Sequence, residues 1–469
     1  MTDGIAGLMS SAYRASPIAL QHLACSLEGY RIQRARFGAS FHELLRQAES
    51  RQSFSAMQML AFRDARLHAF VQQACTSVPY YRQLCAERGF APECLSALAD
   101  LEPWPVLTKE AVKAAGRSML STLVPPRDHL LASTNGTTGS GLRFATTRAA
   151  QQEMWATWWR YWRWHGIQPG TWCGHFGGKL IVPAAQPAPP FWRYNYPGRQ
   201  IRFSGYHMSP ANLHAYVCTL QRRRPPWLHG YPSLLALLAS YIVENDLSLG
   251  YDIRWVTTGS ENLLPQQRNL MELAFGVPPR QHYGMAEGVA NFSECEHGRL
   301  HVDEDFAAVE FIPDEATGAC RVIGTNVSNP ATPLIRYDVQ DRVTLDDKPC
   351  TCGRPGRIVA SIDGRSEDYV VLKSGVRIGR MAGALQHLTS IKEAQIVQKR
   401  AGEVCIRIVR GQGYSTADEA RLLQEIHARA GADLDVRIEY LTQLERSASG
   451  KLRFVVSELA QGQLTSVGS

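Results

Sequence analysis

Long apolar runs are missing from this 469-residue chain. The longest uncharged helix-like stretch, Tyr231 to Val243, is about 13 residues, short of the ~20 that a membrane-spanning helix needs. The first 35 residues hold no continuous apolar core of the secretory kind, because Gln21 and His22 interrupt the stretch from Ile18 to Ala24. Basic blocks are scarce too: the densest run, Arg222-Arg223-Arg224, precedes Pro225-Pro226 and reads as a solvated loop edge. There is no internal repeat and no low-complexity segment. The eleven cysteines are odd in number and scattered, so they imply no disulfide framework. These absences argue against membrane, secreted and fibrous classes. They set the expectation of a cytoplasmic protein that binds neither nucleic acid nor membrane.

What is present is an ordinary globular composition, 45% hydrophobic and 20% charged. Size scaling has a chain of this mass bury about three quarters of its unfolded surface, enough for a core without disulfides or metal. Lys and Arg exceed Asp and Glu by 50 to 43, for a net charge of +7. That excess favours anionic ligands such as nucleotides but is too dilute for nucleic acid.

Three regions differ in pattern. Residues 1–100 mix Leu, Ala, Gln and Arg at helical spacing, up to the break at Pro103-Trp104-Pro105. Residues 101–366 alternate short apolar runs, glycine-rich turns and helices, which predicts an α/β sheet with ligand loops at its strand ends. Trp172–Gly178 and Arg254–Thr258 read as strands, and Ser233–Val243 as a buried helix opened by Pro232. Residues 367–469 alternate strands with a long helix, Thr416–Ala430, and form a small α+β domain.

Five clusters carry chemistry. The loop Ser133-Thr134-Asn135-Gly136-Thr137-Thr138-Gly139-Ser140-Gly141 has glycines that admit an anion and hydroxyls and N–H groups that can cradle phosphate; no Gly-Lys-Ser/Thr closes it, so it is not a Walker loop. In His282-Tyr283-Gly284-Met285-Ala286-Glu287 a tyrosine offers a flat face to a base, and a carboxylate four residues on can reach magnesium. The others are Pro333 to Asp341, Gly364-Arg365-Ser366-Glu367-Asp368, and Arg446-Ser447-Ala448-Ser449-Gly450-Lys451. Singly each is weak; their order and spacing are specific.

The set resembles the adenylate-forming acyl ligase superfamily, in particular the phenylacetate–CoA ligase branch and its long relatives associated with capsular polysaccharide. The resemblance runs from Val78-Pro79-Tyr80-Tyr81-Arg82 through Gly230-Tyr231-Pro232-Ser233 to Lys451. It implies a large multi-layer adenylate-forming domain and a small mobile α+β C-terminal domain. It implies a two-step reaction: a carboxylate attacks the α-phosphate of ATP, releasing pyrophosphate, and an acceptor then displaces AMP. CoA is the default acceptor; an amine, a hydroxyl or a carrier protein are the alternatives. Mg2+ and ATP are the implied cofactors, and a carboxylic acid, aryl or small organic, is the substrate.

By the same resemblance Lys451 and Glu287 are catalytic, the lysine facing charge that develops at the α-phosphate and the glutamate assisting magnesium. Ser133, Thr134, Asn135, Gly136, Thr137, Thr138 and Gly139 hold phosphates. Gly259, Ser260, Glu261, His282, Tyr283, Gly284 and Met285 join the ATP/AMP site, with Tyr283 against adenine. Asp341 holds the ribose hydroxyls, Arg365 approaches ribose or phosphate, and Glu367 stands at the hinge.

The chain departs from the family pattern at several points. Asn135 replaces Ser or Gly, Ser140-Gly141 replaces Lys/Thr-Pro, and Glu445 replaces proline. Asp338-Val339-Gln340 replaces Arg-Thr-Gly, and losing glycine beside Asp341 stiffens the ribose loop. None removes a charge the chemistry requires. A rival reading, a decayed homologue that acts as a binding partner, draws on the 338–340 change alone; a sugar nucleotidyltransferase is a more distant third.

Cys350-Thr351-Cys352 and Cys295-Glu296-His297-Gly298-Arg299-Leu300-His301 could together give three thiolates and an imidazole, a set suited to structural zinc. Related ligases carry a similar pattern, and Cys295, His301, Cys350 and Cys352 are the implied ligands, with His297 the alternative to His301. The competing reading is four reduced residues around a turn. Trp155, Trp158, Trp159, Trp162 and Trp164 crowd one helix, as core packing or as the wall of an acid pocket. His207 is a further pocket candidate, or a structural histidine.

Overall fold

The computed structural model describes residues 12–13, 15–134, 142–179, 181–183, 185–209, 211–314, 318–365, 370–373, 377–378, 381, 388, 390–430, 433–446 and 452–459. In chain order the helices are α1 (Ile18–Arg36), α2 (Ala39–Ser50), α3 (Ala56–Ser77), α4 (Pro79–Arg88), α5 (Lys109–Ala115), α6 (Arg148–Trp164), α7 (Leu213–Arg223), α8 (Pro232–Glu244), α9 (Pro265–Phe275) and α10 (Thr416–Ala430). The first strands are β1 (Leu130–Ser133), β2 (Arg143–Thr146), β3 (Cys173–Gly177), β4 (Trp192–Asn195), β5 (Gln200–Ser204), β6 (Trp227–Gly230) and β7 (Trp255–Gly259). Next come β8 (Arg280–Gly284), β9 (Asn291–Glu294), β10 (Leu300–Val302), β11 (Ala307–Asp314), β12 (Ala319–Asn326), β13 (Tyr337–Asp346) and β14 (Ile358–Arg365). The last are β15 (Val370–Val371), β16 (Arg377–Ile378), β17 (Ile391–Arg400), β18 (Glu403–Arg410), β19 (Asp435–Leu441) and β20 (Val455–Ser457). No described helix is long and apolar enough to cross a membrane.

The chain divides into two compact units, each assembled from separated segments. One joins Arg34–Ile167 to Gln281–Ser366. Its strands pair in the order β11-β12-β13-β14-β10-β9-β8, all antiparallel. Helix α3 starts at a capping box: Ser55 Oγ accepts the Gln58 N–H, and the Gln58 side chain accepts the Ser55 N–H. Leu67, Phe70, Val71 and Ala74 then fall on one helical face and enter a core with Leu334 and Ile335. Helix α6 opens on Thr147, whose Oγ1 accepts the Ala150 N–H. The β1–β2 hairpin pairs Ser133 with Arg143 and so frames the glycine loop.

The other unit joins Met1–Gln33, Gln168–Arg280 and Glu367–Ser469. Its strands run β7-β6-β3-β5-β4, parallel except for β4. One sheet face packs Phe176, Phe203 and Leu228 against Tyr216 of α7 and Leu234 and Leu238 of α8. Helix α8 is apolar on nearly every side because it is buried on nearly every side, and Pro232 occupies its first turn. The small C-terminal sheet has the order β19-β18-β17-β20, and α10 seals it with Leu422 and Ile426 over Ile396 and Ile406. The expected class, α/β with a small α+β C-terminal domain, is the one observed.

Candidate functional site

In the unit built on β8–β14, Tyr283 lies at the end of β8 and Asp341 within β13. The Tyr283 hydroxyl donates to Asp341 Oδ2 at 2.6 Å. Behind the tyrosine, the fully buried Phe292 stacks at 4.5 Å and 15° between planes, which fixes the ring by one face. Gly284 is needed next to it, since a Cβ there would lie 2.6 Å from Asn291 Oδ1. Met285 follows, packed against two cores, and the turn to Gly288 closes through its N–H on the Met285 carbonyl at 3.2 Å. Glu287 is half-buried, and its carbonyl accepts from Asn326 Nδ2.

His282 is held from behind by a polar chain. Asn291 Nδ2 donates to His282 Nε2 at 3.0 Å and to Asp303 Oδ2 at 2.6 Å. Asp303 also accepts from Ser293 and from the buried Arg160 at 2.6 Å. Arg160 binds Asp305 as well, which Arg51 shares at 2.7 Å. Burial pushes the Asp303 carboxyl up to about 6, and Arg160 only partly opposes it. Burial also raises Asp305, but Arg160 and Arg51 outweigh it and take that carboxyl down to about 2. The aromatic helix α6 belongs to this arrangement, because Trp158 sits 4.4 Å from the His282 ring. Trp155 and Trp159 instead pack on Phe37.

The departure at Asp338-Val339-Gln340 has a structural answer. Gln340 takes a left-handed conformation, φ 65°, which glycine adopts without cost. Asp338 compensates: its Oδ1 accepts the Gln340 N–H at 2.8 Å and its Oδ2 pairs with Arg321 at 2.8 Å. The turn survives without its glycine, and Asp341 stays opposite Arg365 in the β13–β14 ladder.

In the other unit, Gly259 ends β7 and Ser260 has φ 70°. Glu261 accepts the Ser233 N–H at the start of α8 and the Leu452 N–H at 3.0 Å. Burial raises its carboxyl pKa. Within this unit the small domain is further tied to α8: Arg446 donates to Ser233 Oγ at 2.7 Å and pairs with Glu393, and Lys392 pairs with Glu244 at 2.6 Å. His207 stacks on Phe191 and meets Ser204 Oγ at 2.8 Å, as a structural histidine does.

Cys295, His301, Cys350 and Cys352 converge, with their ligand atoms all within 4.8 Å of one another. Cys295 Sγ is 3.7 Å from Cys350 Sγ, and Cys352 Sγ is 3.3 Å from His301 Nε2. Tetrahedral zinc thiolates 2.3 Å from the ion stand ~3.8 Å apart, so the spacing fits. His301 Nδ1 faces the Pro355 carbonyl at 3.3 Å, an outer contact that leaves Nε2 as the ligand atom. His297, the alternative, contacts Thr351 instead.

Asn135, Gly136, Thr137, Thr138 and Gly139 lie outside the described residues, as do Glu367 and Lys451 and the side chain of Arg365. Thr134 is described, and its Oγ1 accepts the Leu142 N–H. Sequence reading missed Phe292, Asn291 and Asp303 behind the motif, and Glu393 and Lys392 on the small domain. The polar ones signal only as polar residues among strand apolars and Phe292 only as an ordinary strand apolar, signals too common to single them out.

A family model described as the CapK C-terminal domain matches residues 371–458. The chain is 23% identical over 459 residues to Protein CapK of Staphylococcus aureus, covering 96% of this chain and 100% of that one. It is 24% identical over 446 residues to a phenylacetate-coenzyme A ligase of Thermus thermophilus, covering 84% and 96%. A 2-hydroxyisobutyryl-CoA ligase in the postadenylation state, in complex with R3-HIB-AMP, superposes with a TM-score of 0.67 at 20% identity, covering 88% and 92%. The same ligase with 2-HIB-AMP and CoA in the thioesterification state scores 0.54, covering 87% and 91%. The chain therefore has the fold of these ligases.

Proposed function

We propose that this ligase-like enzyme activates a carboxylic acid with ATP, forming an acyl-adenylate and pyrophosphate, and then passes the acyl group to CoA. The observation that carries the reading is the Tyr283–Asp341 pair, a base platform joined to a carboxylate suited to ribose hydroxyls. CoA is favoured as acceptor by the names of the relatives, the phenylacetate-coenzyme A ligase among them. The reading implies a cytoplasmic enzyme.

In this reading adenine lies on the face of Tyr283 opposite Phe292, and Asp341 orients the ribose. Ser133, Thr134 and the residues up to Gly139 receive phosphates, with Arg365 near ribose or phosphate. Gly259, Ser260 and Glu261 border the nucleotide from the end of β7. Magnesium, when bound, neutralises phosphate charge, with Glu287 to assist in holding it. Lys451 supplies an ammonium where charge gathers between carboxylate and α-phosphate, because both reactants are anions. Glu367 absorbs the backbone torsion that moves the small domain between half-reactions. We further infer that Cys295, His301, Cys350 and Cys352 hold structural zinc, since four protein ligands leave no open position.

The test is acid-dependent ATP–pyrophosphate exchange over aryl, hydroxy-aryl, amino and fatty acids, in wild type and Lys451→Ala. Exchange with one acid class that the substitution abolishes supports the reading. Absent exchange, or exchange indifferent to Lys451→Ala, overturns it.

A further inference from the structure

Helices α3 and α4 are separated by Val78 alone. Val78 is extended, at φ −108° and ψ 117°, as the residue before a proline tends to be. Pro79 cannot continue α3 and fits the first turn of α4 instead. Across this connection Cys75 of α3 meets Cys85 of α4: the Cys85 thiol donates to Cys75 Sγ at 2.9 Å. The two sulfurs are about 0.9 Å further apart than bonded ones, so a small side-chain movement joins them.

The surroundings of the two thiols differ. Cys75 is buried in a core with Phe70, Val71 and Leu98. Burial, the contact with Cys85 and the nearby Glu93 all raise its pKa and keep it protonated. Cys85 is half-buried at the margin of the same core, so a reagent in solution reaches it first. Among the described residues, Cys295, His301, Cys350 and Cys352 are the group of three or more metal-type ligands that converges. The Cys75–Cys85 pair is therefore not part of a metal site.

The hairpin also anchors a more distant segment. Tyr81 lies one helical turn before Cys85, on the same side of α4. It is buried, and its hydroxyl donates to the Pro333 carbonyl at 3.1 Å and accepts the Ile335 N–H at 3.0 Å. Through Tyr81, α4 holds the stretch of chain that leads into β13. A cross-link between α3 and α4 would fix that anchor to the longer helix.

We propose that Cys75 and Cys85 form a reversible disulfide that staples the α3–α4 hairpin when a small-molecule disulfide, such as oxidised glutathione, is in excess. The Cys85 thiolate attacks one sulfur of oxidised glutathione, breaks its S–S bond and releases one glutathione thiolate. The Cys75 sulfur then attacks the Cys85 sulfur of the mixed disulfide and releases the second glutathione. Both cysteine protons end on the released glutathiones. The protein pair gives up two electrons, and the oxidised glutathione takes them. Excess reduced glutathione runs the same steps backwards. The inference is independent of the adenylation reading.

The folded, full-length protein is equilibrated with mixtures of reduced and oxidised glutathione, blocked with iodoacetamide and digested with trypsin without reductant. Cleavage after Arg66, Arg82 and Arg88 places the two cysteines in separate peptides. Mass spectrometry should find Leu67–Arg82 joined to Gln83–Arg88 in the oxidising mixtures, and dithiothreitol should part them. Oxidation should raise the thermal midpoint by roughly 5 °C, the order expected for closing a short loop. Cys75→Ser should leave Cys85 as its glutathione adduct, Cys85→Ser should leave Cys75 unmodified, and neither should show the thermal shift. Both thiols alkylated in every mixture overturns the proposal. So does a cross-link to the exposed Cys94 in place of the pair, a joined pair without a thermal shift, or one that forms only after denaturant is added.

Discussion

The Tyr283 hydroxyl reaches Asp341 Oδ2 at 2.6 Å across 58 residues of sequence. Phe292 fixes the tyrosine ring, so the bond holds the carboxylate in one orientation. A carboxylate has about four acceptor positions, and one donor from Tyr283 leaves capacity for ribose. Tyr283→Phe keeps the stack and removes the hydroxyl. A hydrogen bond to a charged group contributes about 1.5–3 kcal/mol, so the KM for ATP should rise roughly tenfold or more in pyrophosphate exchange. An unchanged KM shows that Asp341 is oriented by other contacts.

Gln340 bears strain that glycine would not. Its left-handed backbone costs a non-glycine residue about 1 kcal/mol at φ 65°. Gln340→Gly should therefore raise the thermal midpoint. Asp338→Ala should lower it by a similar free energy, since Gln340 loses its acceptor and Arg321 its partner. Differential scanning calorimetry checks both signs.

The buried Arg160 depends on Asp305. Asp305→Asn leaves a buried guanidinium short of one anion and should cost about 3 kcal/mol. The acid profile should show the same dependence. Asp305 titrates near 2 in the fold against an ordinary 3.8, so its contribution is complete above about pH 4 and is lost as pH falls toward 2. Asp303, raised to about 6, acts oppositely and favours the fold as pH drops from about 6 to 4. Acid unfolding should steepen below pH 4, and Asp305→Asn should flatten that limb.

Protein purified without added zinc should hold about one equivalent of the metal, because the four ligands form a closed site. Cys350→Ser/Cys352→Ser should lose the metal and lower the thermal midpoint. Elemental analysis of both proteins settles this, and a stable, metal-free wild type removes the zinc assignment.

Arg446 of the small domain donates to Ser233 at the start of α8 and pairs with Glu393 on β17 of its own domain. Arg446→Ala leaves Glu393 buried beside Glu261, whose charge already raises its pKa after burial does. Pyrophosphate exchange should fall about tenfold, in line with a lost charged hydrogen bond, while limited proteolysis between the domains speeds up. Exchange at the wild-type rate shows that this docking is not used for adenylation.

Local pattern was enough for the elements whose cause is local. Helix α8 announces itself by Pro232 and an unbroken apolar run, and α10 by its amphipathic spacing from Thr416 to Ala430. The cysteine cluster was legible because metal chemistry restricts residue type, and the resemblance already favoured His301; β10 carries His301 to the thiols, while His297 contacts Thr351. Phe292, Asn291 and Asp303 were invisible because an ordinary strand residue gains its role from the neighbour that register supplies. Arg202 and His175 are another instance. The parallel β3–β5 register sets them side by side although a whole connection separates them in sequence.

Both units are discontinuous, and that has a cost during synthesis. Leu67 and Val71 share a core with Leu334 and Ile335, so the apolar face of α3 leaves the ribosome long before its partners exist. The segment ending at Ile167 resumes only at Gln281, a gap that takes roughly 6–23 s at about 5–20 residues per second. For that interval the nascent chain displays an uncovered hydrophobic surface, and its yield in a cell is set as much by holdase chaperones and translation speed as by the stability of the finished protein.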